Sequence, residues 1–216
     1  MINILSAGNS ILNQFLAELR DAEIQKDSLR FRGNLERMGE IFAYEISKIL
    51  PYETKEVITP LGIAYVPMLI EYPVLATILR AGLPFHQGLL NFFDRSDNAF
   101  ISAFRRHHKD GSFSINIEYA SVTEIDNKVV ILCDTMLASG SSMVLAYREL
   151  IGHGKPSHTH IVAAVASVEG LEYIKKNLPH KNISIWLGAV DDEMTAQSYI
   201  VPGLGDAGDL AYGKKH

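Results

Sequence analysis

The segment from Val129 to Leu150, VVILCDTMLASGSSMVLAYREL, joins an apolar run, an acid, a stretch of small and hydroxyl-bearing residues and an apolar repeat at helical spacing. An open parallel sheet binds ligands at the carboxyl ends of its strands, and here an acid and a loop fall at such an end. Ala138, Ser139, Gly140, Ser141 and Ser142 bring backbone N–H groups close to a ligand without bulk, and the helix that follows adds its positive end. That combination suits a phosphate monoester. It is not a Walker loop, because GxxxxGK[ST] requires a Lys that is absent here. Asp134, directly before the loop, is placed to accept hydrogen bonds from hydroxyls on the same ligand, the pattern of a ribose 5-phosphate. An ordinary βα turn with a helix cap would use the same residue types, and at this point both readings stand.

Three other places carry chemistry. Arg80 ends an apolar run and precedes Ala81-Gly82, where a guanidinium reaches a pyrophosphate and small neighbours admit it; a surface ion pair is the plainer alternative. Arg105 opens a basic run with Arg106, His107, His108 and Lys109. Gly203, Gly205 and Gly208 in GLGDAGD have the GxGxxG spacing of a dinucleotide fingerprint, which needs an acid about 20 residues later. Only eight residues, Asp209 to His216, follow Gly208. Pro202 and the close glycines read instead as a loop of fixed shape, with Asp206 capping backbone N–H groups. Among the eight histidines there is no HExxH; His158 and His160 read as the solvated start of a strand, and Trp186 as core.

The segment DTMLASGSS resembles the 5-phosphoribosyl-1-pyrophosphate signature of type I phosphoribosyltransferases, with Asp134-Thr135 where most members carry two consecutive acids. The uracil branch usually has Asp-Pro-Met-Leu-Ala-Thr-Gly-Gly-Ser, and this chain differs by Thr135, Ser139 and Ser141. ILRAGL at Ile78 to Leu83, FRR at Phe104 to Arg106 and YIVPGLGDAGD are similar to further motifs of the uracil phosphoribosyltransferase family, and AYE and ITPLG extend the likeness over nearly the whole chain. The resemblance implies transfer of 5-phosphoribosyl from its pyrophosphate donor to uracil, giving UMP and pyrophosphate. It assigns the donor to Asp134, Thr135, Met136, Leu137, Ala138, Ser139, Gly140, Ser141 and Ser142 together with Arg80 and Arg105. It assigns uracil to Tyr199, Ile200, Gly205, Asp206 and Ala207, and catalytic work to Arg80, Arg105, Asp134 and Asp209. Mg²⁺ is expected to be bound mainly through the pyrophosphate, with no protein metal ligand. A homodimer or larger homo-oligomer is expected. Two alternatives are a non-catalytic relative that regulates pyrimidine genes and a diverged enzyme for another base, the latter motivated by Thr135, Ser141 and the basic run.

The elements that must position these residues follow from periodicity. Ile11, Leu12, Phe15, Leu16 and Leu19, then Leu35, Met38, Ile41, Phe42, Ile46 and Ile49, predict N-terminal helices over about 10–50, stopped by Pro51. Short β-rich runs then alternate with helical ones: EVIT, PVLATILR, LPFHQGLLNFF, AFISAF, VVILCD, SSMVLAYRELI, HIVAAVAS, VEGLEYIKKNL and ISIWLGAV. The alternation predicts an α/β fold with a central parallel sheet and flanking helices. A Lys-Asp-Gly turn between alternating residues predicts a protruding β-hairpin over about 105–122, and the base loop spans about 199–209.

The 216 residues read as one enlarged domain, 47% hydrophobic and 21% charged, which excludes disordered, collagen-like and coiled-coil classes. A net charge of −5 argues against a broad grip on nucleic acid. Cys133 has no partner for a disulfide or a zinc quartet, which suits a reducing, cytoplasmic setting. The longest purely apolar run, Ile161 to Ala166, falls far short of the ~18 residues a membrane helix needs, and no membrane partner is expected.

Overall fold

The computed structural model describes residues 1–107 and 113–214, and only the backbone of 104–107 and 113–116. The central sheet has seven strands: β1 (Ile2–Ile4), β4 (Val74–Leu79), β5 (Asn98–His107), β6 (Phe113–Ser121), β7 (Val129–Leu137), β8 (His158–Ser167) and β9 (Ile183–Asp191). Their order is β1-β9-β8-β7-β4-β5-β6, and every neighbouring pair is parallel except β5 with β6.

Successive side chains of a strand face opposite sides, so a strand buried on both faces must be apolar throughout. Residues 130–133 of β7 obey this rule: Ile131 and Cys133 join one core, Val130 and Leu132 the other. The first core is filled by α1 (Ile11–Arg20), α2 (Ser28–Ser47) and α3 (Leu83–Phe92), through Leu12, Leu35, Phe42 and Phe85. The second is filled by α4 (Ser141–Gly152) and α5 (Val168–Asn177), through Val144, Leu150 and Ile174. The result is a helix–sheet–helix sandwich. Asp27 opens α2 as its N-cap, accepting from the N–H groups of Leu29 and Arg30. Trp186 is buried in β9, and its Nε1–H donates to Nδ1 of His160 on β8 at 3.2 Å.

The structure departs from the sequence expectations in several places. Residues 2–4 form a strand at the sheet edge, too short for its period to show. EVIT is not part of the central sheet: it lies in β2 (Tyr52–Thr59), which pairs antiparallel with β3 (Gly62–Leu69) in a separate two-stranded arm. Ile58 and Leu61 stand almost wholly in solvent there, so no buried face imposes an alternating pattern for the eye to find. The expected hairpin at 105–122 is the outer part of a longer pair, β5 with β6, and its Lys109-Asp110-Gly111 turn lies outside the described residues. His160 is buried rather than solvated, because Trp186 satisfies its ring nitrogen inside the sheet; burial pushes its pKa down to about 3. The glycine-rich end is not all loop. Ala207–Tyr212 form a short helix, α6, capped by Asp206, whose Oδ1 accepts from Asp209 N–H at 2.9 Å.

Candidate active site

The carboxyl edge of the sheet gathers the polar groups. Arg80 follows β4, the small-residue loop follows β7, Ser167 ends β8 and Asp191 ends β9. This is the edge where parallel α/β sheets hold their ligands.

β7 runs to Leu137, further than the expected strand VVILCD, because Met136 and Leu137 keep their register with Val165 and Ala166 of β8. The loop is thereby reduced to Ala138, Ser139 and Gly140 before α4 begins at Ser141. Leu137 is spent in the core, and Met136 is half-buried. Thr135 is fully buried and donates its hydroxyl to the Ala81 carbonyl at 2.7 Å, so its side chain serves the Arg80 turn and not the loop. Gly140 has φ +76°, a region that L side chains avoid, and a Cβ there would stand 2.8 Å from the Gly170 carbonyl. The loop is pinned from behind by Ser167, whose Oγ donates to the Ala138 carbonyl at 2.6 Å and accepts from Gly170 N–H at 2.8 Å. Ser139 Oγ lies 3.3 Å from Ser141 Oγ. What remains open is a half-buried loop at the start of a twelve-residue helix, where the first N–H groups have no intrahelical acceptor.

Asp134 is half-buried and its carboxylate accepts from Thr135 N–H at 2.7 Å. Burial pushes its pKa up to about 7, against the pull of the Thr135 and Met136 backbone N–H groups.

The C-terminal segment closes the same edge. Arg80 Nη2 lies 3.6 Å from Asp209 Oδ1 and donates to the Gly213 carbonyl at 3.2 Å. The surface ion pair weighed for Arg80 therefore exists, and its partner is itself a residue of the base-loop motif. Ile200 and Ala207 are buried in the core under α1 and α2, Tyr199 is half-exposed, and Gly205 and Asp206 face solvent. Gly203 (φ +56°) and Gly205 (φ +85°) set the turn between them. Arg105 sits on β5 at the same end of the sheet, and its side chain lies outside the described residues. Two residues absent from the sequence reading complete the region. Arg20 of α1 and Asp191 of β9 grip Gly203 from both sides. An acid at the end of the last strand was the available signal for Asp191; nothing local marks Arg20.

A parallel sheet with this loop, acid and arginine turn along one edge, closed by a C-terminal segment, is the fold of a type I phosphoribosyltransferase. The family model described as uracil phosphoribosyltransferase matches residues 6–214. A uracil phosphoribosyltransferase of Porphyromonas gingivalis is 52% identical over 98% of this chain and 97% of its own length. One from Methanothermobacter thermautotrophicus is 35% identical over 95% and 93%. A solved protein from Aquifex aeolicus superposes with a TM-score of 0.86 at 31% identity, covering 99% of this chain and 98% of that one. The chain belongs to the uracil phosphoribosyltransferase family.

Proposed function

We propose that the protein transfers the 5-phosphoribosyl group from 5-phosphoribosyl-1-pyrophosphate to N1 of uracil, giving UMP and pyrophosphate in pyrimidine salvage. The observation that carries this reading is the meeting of Arg80 with Asp209 at 3.6 Å, which sets a pyrophosphate-seeking cation against the loop motif of the uracil family. The 5-phosphate is assigned to Ala138 through Ser142, and the ribose hydroxyls donate to Asp134. The uracil edge is read by backbone groups around Ile200, Gly205 and Ala207, whose chain is fixed by side chains sunk in the core.

As the bond from C1 of the sugar to pyrophosphate breaks, the sugar becomes oxocarbenium-like and the leaving group gains charge; the bond to N1 forms and the N1 proton is lost. In this assignment Arg80 is the fixed cation that meets that growing charge, and Arg105 joins it on family resemblance. Mg²⁺, when bound, shields the pyrophosphate oxygens. Asp209, half-exposed beside Arg80, is the carboxylate this assignment sets toward such a complex. The donor's own oxygens and water are the main metal ligands in this reading, since Mg²⁺ seldom uses a full protein cage.

The same proposal includes a homodimer or larger homo-oligomer, supported by the apolar, solvent-facing arm with Ile58, Leu61, Ile63 and Tyr65. It includes a cytoplasmic setting, supported by a lone cysteine, Cys133, buried as a thiol whose pKa burial pushes up to about 12. Among the described residues no helix is long and apolar enough to cross a membrane. The test is product analysis with donor, Mg²⁺ and a panel of bases: UMP from uracil supports the proposal, and turnover of another base alone overturns it. No turnover of any base, with retained donor binding and RNA binding, would favour the regulator instead.

A further inference from the structure

Arg20 lies at the end of α1 and Asp191 at the end of β9, 171 residues apart in sequence. Their side chains meet in a bidentate pair, Nη1 to Oδ2 at 2.7 Å and Nη2 to Oδ1 at 2.8 Å. The pair does not end there. Asp191 Oδ2 also accepts from Gly203 N–H at 2.9 Å, and Arg20 Nη1 also donates to the Gly203 carbonyl at 3.0 Å. Both backbone polar groups of one glycine are therefore held by the two members of one ion pair.

The environment makes this more than a surface contact. The Asp191 side chain is only 7% exposed and that of Arg20 22%, so water competes weakly with either bond. Exposed pairs contribute little to stability, and a buried pair often adds no more than an apolar substitute would; what such a pair does fix is geometry. Here the fixed object is the turn of the motif YIVPGLGDAGD. Gly203 stands at φ +56°, and a side chain on it would run into the Ile200 carbonyl, so the turn is already limited to one shape. The ion pair fixes where that shape sits, two residues before Gly205 and four before Ala207. Arg20 and Asp191 make none of the contacts that join Arg80 to Asp209 and Gly213.

We propose that Arg20 and Asp191 are positioning residues for the base: they hold Gly203 in place so that the backbone groups of residues 205–207 keep the spacing of one edge of uracil. This rests on the assignment of residues 199–209 to uracil. Its consequence is a separation of effects. Loosening the pair should weaken uracil and leave the donor's cradle, on β7 and α4, untouched.

The decisive variant is Arg20→Lys, which keeps the charge but replaces a planar fork with a point donor unable to serve Asp191 bidentately and Gly203 together. Asp191→Asn is the companion, and Gly205→Ala, inside the turn, tests the loop assignment itself. Steady-state kinetics with uracil and with donor varied separately, plus thermal melting, are read for all three. Positional slack near an ångström costs up to about a hundredfold, so the uracil KM should rise roughly ten- to a hundredfold in Arg20→Lys with the donor KM unchanged. An equal rise in both constants, or a lowered melting temperature with normal constants, makes the pair merely structural and overturns the proposal. A raised uracil KM in Gly205→Ala but in neither clamp variant overturns the clamp and keeps the loop. Normal uracil constants in all three overturn both. Should Asp191→Asn fail to fold, Arg20→Lys alone decides.

Discussion

Thr135 donates its hydroxyl to the carbonyl of Ala81 at 2.7 Å, and that single buried bond ties the strand carrying Asp134 to the turn carrying Arg80. The position is one where this chain departs from the residue usual in the uracil branch, and the structure gives the departure a use. A hydroxyl at full burial must find an acceptor, and here it finds one on the neighbouring strand's turn. The acid and the cation assigned to the two ends of one substrate are thereby held in mutual register.

Asp134→Asn should keep the fold and lower catalytic efficiency about ten- to a hundredfold, because an amide offers ribose hydroxyls one acceptor where a carboxylate offers two. The pH dependence gives a second reading. Its pKa in the folded chain, about 7, lies above the ordinary 3.8, so the stability linked to this group is complete below about pH 3.8 and is lost as pH rises toward 7. Hydroxyl donors prefer the ionised carboxylate. Donor affinity should therefore rise with pH through about 7 and level off roughly one unit above it, and Asp134→Asn should abolish that step. A pH profile identical in both proteins would remove Asp134 from the ribose.

Gly140→Val should damage donor binding far more than uracil binding. The residue sits at φ +76° and its Cβ would press on the Gly170 carbonyl, so the loop must move or strain by about 1–3 kcal/mol. Isothermal titration with donor and with uracil on the same variant makes the comparison. Equal losses for both ligands would show that the loop is not the phosphate cradle.

Arg80→Ala should lower turnover more than uracil affinity, since charge grows on pyrophosphate only as the sugar bond breaks. Losing one preorganised group of this kind costs on the order of a hundred- to a thousandfold. Single-turnover rates at saturating substrates check it, and a normal rate would leave Arg80 with no role beyond holding Asp209 and Gly213.

Uracil and small 5-substituted analogues such as 5-fluorouracil should be substrates, and cytosine should not. Cytosine replaces the carbonyl and N3–H edge with an amino donor and a bare nitrogen. A turn set by Gly203 and Gly205 cannot reverse its backbone donors and acceptors. Two buried mismatches at about 1–3 kcal/mol each imply discrimination of roughly thirtyfold at the low end and on the order of ten-thousandfold at the high end. Competing the two bases in one reaction measures it directly, and comparable rates would detach YIVPGLGDAGD from base recognition.

The central sheet is legible because the strand segments buried on both faces, residues 130–133 of β7 and 161–166 of β8, are apolar along their length. The arm of β2 and β3 is not, since exposed strands carry no such constraint. At the site, Asp134, Gly140 and Arg80 announced themselves through residue type and short spacing. Arg20 and Asp191 did not, because their partnership exists only after α1 and β9 are packed together. The resemblance puts Thr135 among the donor-binding residues, and only the position of Ala81 in space shows which partner its hydroxyl has.

Trp186 is the chain's one tryptophan, and it lies in β9 with its indole N–H on the neutral ring of His160. The tryptophan fluorescence of the protein, excited to the red of tyrosine absorption, therefore comes from an indole at one fixed depth in the sheet, screened from solvent by the first core. Its emission is expected to stay blue-shifted through any loosening of the arm or of the loop before α4 and to move red when the first core opens. That gives unfolding experiments on every variant above a label already in place, one that separates a disturbed site from a lost fold without any added dye.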